Sequence, residues 1–150
     1  MLREKINEAV KEAMKAKDSA RLGTLRMVNS AIKNADIEAR TGKGPLSDDD
    51  LLAVLQKMVK QRQESVEMYA KSGRDELAAA ERAEIGVIQG FMPQQLSDDE
   101  VRTAVAAAIA ETGAAGVKDM GKVIGALKAK YTGRMDFGKA SAAVKAALAG

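Results

Sequence analysis

The octapeptide Pro93-Gln94-Gln95-Leu96-Ser97-Asp98-Asp99-Glu100 divides the chain. Pro93 has no amide proton and disfavours helix at the residue before it, so a helix arriving from the N-terminal side ends here. Gln94-Gln95-Leu96 is a short connector. Ser97, with Glu100 three residues on, is a capping box that opens the next helix. Before this stretch apolar residues recur at helical spacing in four blocks, and after it in three. The expectation is an all-α, multihelical protein, a four-helix N-terminal bundle over 1–93 followed by a three-helix C-terminal bundle over 97–150. No segment alternates with period two for long enough to make a strand.

Toward the N-terminus, the fourth helix follows Gly73 and carries Ala78, Ile85, Ile88 and Met92 on its stripe, with Glu81 among them. The third opens at Ser47 and runs to about Ser72, and its stripe (Leu51, Leu55, Met58, Val66, Tyr69) is interrupted by Arg62. A hairpin about Gly73 sets Arg62 across from residues 81–85. That predicts a partly buried pair with Glu81, or with Glu84 as the alternative acid, against the simpler reading that the side chains reach out to water. Asp48-Asp49-Asp50 sit where the helix dipole favours carboxylates and point in different directions, so they read as a helix start rather than a metal site. Thr41-Gly42-Lys43-Gly44-Pro45 stops the second helix, which covers about Ala20 to Arg40 with Leu22, Leu25, Val28, Ile32 and Ala35 on one side. Asp18-Ser19 is a turn and cap before it. Leu2, Ile6, Ala9, Val10 and Ala13 mark the first helix, to about Lys17.

Toward the C-terminus, Val101, Val105, Ala108 and Ile109 mark a fifth helix that Gly113-Ala114-Ala115-Gly116 ends. The next stretch runs from Lys118 to Asp136. On a helical wheel Met120, Val123, Ile124, Leu127 and Tyr131 share one side, and Lys118, Gly121, Lys122, Gly125 and Lys128 the other. An interior glycine costs a helix about 1 kcal/mol relative to alanine. Two glycines facing away from the apolar stripe are not explained by packing inside their own bundle. Bare backbone edged by lysines suits the close approach of a large polyanion. Gly133 ends this sixth helix and Asp136 caps the seventh, whose apolar side is Ala140, Val144, Ala147 and Leu148.

Charge is distributed in the same sense. The chain's net +3 conceals a basic C-terminal end. Residues 117–150 hold Lys118, Lys122, Lys128, Lys130, Arg134, Lys139 and Lys145 against Asp119 and Asp136, a net +5, while the rest of the chain is at −2. Such clustering suits phosphates, although lysines also solubilise an alanine-rich bundle. Only 3% of residues are aromatic, so no platform exists for stacking unpaired bases, and structured RNA read by backbone shape fits better. The chain has neither His nor Cys, which removes the usual neutral-pH base, the thiolate nucleophile and the commonest transition-metal ligand. There is no Gly-x-Ser-x-Gly elbow and no Gly-x-x-x-x-Gly-Lys-Ser/Thr phosphate loop. No catalytic residue, metal or cofactor is expected. Without a signal-peptide core or a run of roughly 18 apolar residues, the chain is expected to be soluble and cytoplasmic, with no membrane partner.

A family resemblance covers essentially the whole chain. It rests on Leu25-Arg26 through Ala31-Ile32-Lys33, Lys60-Gln61-Arg62 with Glu64-Ser65, Gly73-Arg74 with Glu76-Leu77, Glu81 through Glu84-Ile85, and Phe91-Met92-Pro93-Gln94-Gln95-Leu96-Ser97. Most specific are Asp119-Met120-Gly121-Lys122-Val123-Ile124-Gly125, Gly133-Arg134-Met135-Asp136 and Val144-Lys145. The chain resembles a YqeY-like protein of the GatB/YqeY family; Phe91-Met92, where the family often has Tyr-Leu, is a conservative departure. The resemblance implies two helical bundles. The second is similar to the tail of the B subunit of the glutamine-dependent aminoacyl-tRNA amidotransferase, a tRNA-contacting module without the catalytic chemistry. It implies tRNA as partner, the amidotransferase or aminoacyl-tRNA synthetase machinery as further candidates, and Gly121, Lys122, Gly125 and Arg134 as tRNA-facing. The resulting expectation is a non-catalytic tRNA-binding protein using Lys118, Gly121, Lys122, Gly125, Lys128, Lys130, Arg134, Lys139 and Lys145. The alternatives are a protein-interaction module that seats a partner helix on the glycine face, or an accessory to carbon–nitrogen ligation with glutamine as nitrogen donor.

Overall fold

A computed structural model describes residues 1–39 and 46–149. Its helices are α1 (Leu2–Lys15), α2 (Ser19–Ala39), α3 (Asp48–Lys71), α4 (Asp75–Gln89), α5 (Asp98–Thr112), α6 (Met120–Tyr131) and α7 (Phe137–Ala149), with a short 3₁₀ turn at Val117–Asp119. Among the described residues there is no strand, and the protein is all-α and multihelical. The expected stop of α2 at Thr41–Pro45 lies outside the described residues. Two compact units form, Met1–Pro93 and Gln94–Gly150.

The first unit holds α1 to α4. Its core gathers Ile6 from α1, Val28 and Ile32 from α2, Leu51, Leu55 and Val59 from α3 and Ile88 from α4. The i, i+4 repeats of the sequence put these on inward faces. Lys17 turns the chain between α1 and α2 with a left-handed φ of 57°, and Asp18 Oδ1 accepts from the Arg21 amide at 3.1 Å to cap α2. Ser47 and Asp50 exchange hydrogen bonds of 3.1 and 2.9 Å in a capping box, while Asp48 Oδ1 accepts from the Leu2 amide at 3.3 Å. Two of the three consecutive aspartates thus hold helix starts. Gly73, at φ 74°, reverses the chain between α3 and α4. The resulting register pairs Arg62 with Glu84, Nε to Oε2 at 3.0 Å, and not with Glu81. Arg62 and Glu84 each lie eleven residues from Gly73, so they meet, whereas Glu81 sits nearly one helical turn closer to the bend. The α4 helix ends at Gln89, short of Pro93, where Phe91 and Met92 amides turn back onto the Ile88 and Gln89 carbonyls at 3.1 and 3.0 Å.

The second unit holds α5 to α7 around Val105, Val123, Leu127, Met135, Ala140 and Val144. Ser97 and Glu100 form the expected capping box, at 3.0 and 3.1 Å. The connector 94–96 belongs to this unit rather than lying between units. The Leu96 amide donates to the Arg134 carbonyl at 2.8 Å, Gln95 Nε2 donates to the Gly133 carbonyl, and Arg134 Nε donates to the Gln94 carbonyl at 3.0 Å. Gly133 makes the bend they grip, at φ 79°. Asp136 then opens α7 by accepting from the Gly138 amide at 2.8 Å.

Candidate nucleic-acid interface

The α6 helix turns its apolar residues inward: Val123 and Leu127 are buried and Met120, Ile124 and Tyr131 half-buried. Gly121, Lys122, Gly125, Lys128 and Ala129 are exposed on the other side. By helical rotation Lys122 and Lys128 stand about 60° to either side of Gly125. A Cβ built on Gly121 or Gly125 meets no heavy atom within 4 Å. The strip is therefore open, with two lysines as its edges. Ala129, four residues past Gly125, lengthens it by a turn. Sequence reasoning passed over that small residue, although its i, i+4 spacing marks it.

The other expected residues fall into different settings. Lys118 is exposed but belongs to the 3₁₀ turn Val117–Asp119, which winds by about 120° per residue, so the α6 wheel does not fix its direction. Lys130 leaves α6 on another side and pairs with Glu111 of α5, Nζ to Oε1 and Oε2 at 2.9 and 3.1 Å. That hydrogen bond raises its pKa. Lys139 and Lys145 are exposed on α7, but six residues of rotation set them about 120° apart. Arg134 is a buttress. Besides its bond to the Gln94 carbonyl, its guanidinium carbon lies 5.7 Å from the Tyr131 ring centroid, in a cleft that it shares with Asp99 and Glu100. Glu100's pKa is lowered by the Ser97 backbone amide first, then by the Ser97 hydroxyl, with a smaller contribution from Arg134's charge. The Glu100 carboxylate beside this guanidinium offsets part of the attraction that it has for a phosphate.

The structure thus brings together Gly121, Gly125, Lys122 and Lys128 on one exposed side of α6, engages Lys130 with Glu111 and Arg134 with the Gln94 carbonyl, and leaves Lys118, Lys139 and Lys145 exposed on neighbouring elements. Lys122 and Lys128 form no ion pair among the described residues; Lys128 Nζ lies 5.9 Å from the Phe137 ring centroid, a cation–π arrangement. Among the described residues no group of His, Cys, Asp and Glu is placed to hold a metal ion.

Comparison with known proteins adds the family. The Yqey-like protein family matches residues 3–148. The chain belongs to that family. Relatives named "Altered inheritance of mitochondria protein 41, mitochondrial" match it in part. The Eremothecium gossypii protein is 37% identical over 87 residues, 58% of this chain and 46% of that protein. The Meyerozyma guilliermondii protein is 38% identical over 84 residues, covering 55% and 42% respectively. The Pyrenophora tritici-repentis protein is 28% identical over 127 residues, covering 83% and 68%. In the yeast comparisons the chain spans less than half the length of the relative it matches.

These names correct the expectation of a cytoplasmic location, since the relatives are mitochondrial proteins by name. The expectation rested on the missing signal-peptide core and missing apolar runs, and those features suit the interior of an organelle as well as a cytosol. No helix among the described residues is long and apolar enough to cross a membrane.

Proposed function

We propose that this Yqey-like protein binds structured RNA of the tRNA class through the exposed side of α6. The observation that carries the reading is the open strip at Gly121 and Gly125 between the exposed lysines Lys122 and Lys128. With no side chain on the strip, a ribose-phosphate backbone approaches the helix itself, and the lysines neutralise phosphates on either hand. Nothing in the arrangement reads base edges, so selectivity comes from RNA shape. Catalysis is not part of the proposal, and any role in tRNA-dependent amidation is that of an accessory to another enzyme.

Filter binding of unmodified tRNA at rising salt tests this. Affinity is expected to fall by about tenfold or more between 50 and 200 mM salt, the dependence of a site touching a few phosphates. Lys122→Glu with Lys128→Glu is expected to remove most of the affinity and to leave the melting temperature unchanged. Binding that ignores salt and both substitutions would instead favour a partner helix seated on the glycine strip.

A further inference from the structure

A second surface lies in the first unit, in the groove between α2 and α3. Two adjoining clefts, about 420 and about 450 Å³, share Ala31, Asn34, Met58 and Gln61 and so form one continuous groove. On α2 it runs from Arg26 to Glu38, a length of about 18 Å at 1.5 Å per residue. Met58 and Ala31 supply an apolar floor, and Met58 is buried. Asn34 on α2 and Gln61 on α3 supply an amide from each wall, and neither side chain has a hydrogen-bond partner among the described residues. Arg26 and Lys57 are exposed at the rim and make no ion pair among the described residues. Arg62 is taken up by Glu84. Glu38, the single carboxylate among the lining residues, has an interaction of its own within the chain.

The charge calls for an anion, and the rest of the lining chooses its kind. A primary amide offers a donor and an acceptor together. Two of them, one from each helix, match a backbone whose N–H and C=O are both unsatisfied, which an extended peptide has and a helix does not. A floor containing methionine adapts to apolar side chains of different shapes, whereas a ribose-phosphate chain gains little from it. The lining residues ascend α2 while descending α3, which puts Arg26 and Lys57 about 10 Å apart along the groove. Carboxylates three residues apart on an extended, polyproline-II-like segment share one side at about that spacing, at about 3.1 Å per residue. We propose that the α2/α3 groove receives an extended acidic segment of a partner protein, with Arg26 and Lys57 gripping its carboxylates and Asn34 and Gln61 pairing with its backbone.

The test is an NMR titration of the full chain with the acetylated, amidated peptide Glu-Leu-Ser-Glu-Leu-Ala, alongside its Lys-for-Glu counterpart and an RNA hairpin. Saturable shifts centred on Ala31, Asn34 and Gln61 are expected with the acidic peptide alone. Arg26→Glu with Lys57→Glu is expected to weaken it by about tenfold or more and Asn34→Ala by about fivefold, as for loss of paired charges or of one hydrogen bond. Lys122→Glu with Lys128→Glu is expected to leave peptide binding unchanged, which keeps this groove separate from the α6 reading. No saturable shift at millimolar peptide, equal binding of the lysine peptide, or displacement of the peptide by the hairpin would each overturn the proposal. Full binding by the Arg26→Glu, Lys57→Glu protein would do the same.

Discussion

At Arg62 a guanidinium only 14% exposed depends on Glu84, itself 26% exposed, and also donates Nη1 to the Met58 carbonyl at 3.3 Å. Replacing Glu84 by alanine leaves that guanidinium partly dehydrated without its anion, a loss of about 1–2 kcal/mol. Glu81→Ala removes no such partner and is expected to stay within about 0.5 kcal/mol of the parent. Urea denaturation of the two variants checks this, and equal losses would contradict the pairing. The existence of a pair was legible from Arg62 standing in an apolar stripe. Its acid was not, because Glu81 and Glu84 share one helix face and only the geometry of the Gly73 bend chooses between them. Lys17 gives a second residue-scale expectation. Its left-handed φ disfavours a side chain, so Lys17→Gly is expected to stabilise the first unit by up to about 1 kcal/mol, strain relief outweighing glycine's entropy. A lower urea midpoint in that variant would contradict it.

Among the elements, α5 was the most legible, because its start is a local motif. Ser97 and Glu100 bond each other's backbone amides without any tertiary partner, so four consecutive letters sufficed. Ser97→Ala is expected to cost about 1 kcal/mol, as for other serine caps. The pH dependence has a definite sign. Glu100's pKa is lowered in the fold, chiefly by the Ser97 amide, so its contribution is fully present above the ordinary glutamate value. It is lost as the pH falls through the lowered value. Glu100→Gln is therefore expected to flatten the acid limb of the second unit's stability, measured by thermal melts from neutral to acid pH. An unchanged acid limb would contradict the box's electrostatic part. The α6 helix was legible in its two faces but not in its start. The 3₁₀ turn at Val117–Asp119 has no sequence mark as clear as a capping box, and it detaches Lys118 from the wheel and places Gly121 in the first turn.

For the whole molecule, the division into two units followed from Pro93 and the Ser97 box, whereas the allocation of the connector required the bonds from residues 94–96 to the Gly133–Arg134 bend. The basic C-terminal end was equally plain in the sequence. What the sequence did not separate was cations available to a ligand from cations already engaged. Lys130 and Glu111 are nineteen residues apart, and Arg134 reaches forty residues back to Gln94. Such partners come from packing, which periodicity within one helix does not encode. Sorting them sets Lys130 and Arg134 apart from the bare strip and its two lysines, and gives the α6 reading its sharpest consequence. Nothing in the fold occupies the space above Gly121 or Gly125, so alanine at both positions costs no clash. It is expected to stabilise α6, by about 1 kcal/mol at Gly125 and less at Gly121 in the first turn.

The most direct measurement is the melting temperature and tRNA affinity of Gly121→Ala, Gly125→Ala protein, taken side by side at fixed salt. The expected result is a higher melting temperature together with weaker binding, because two methyl groups hold the phosphate chain off the helix. A protein that melts higher and binds tRNA as tightly as the parent would contradict the claim that this bare backbone is kept open for RNA.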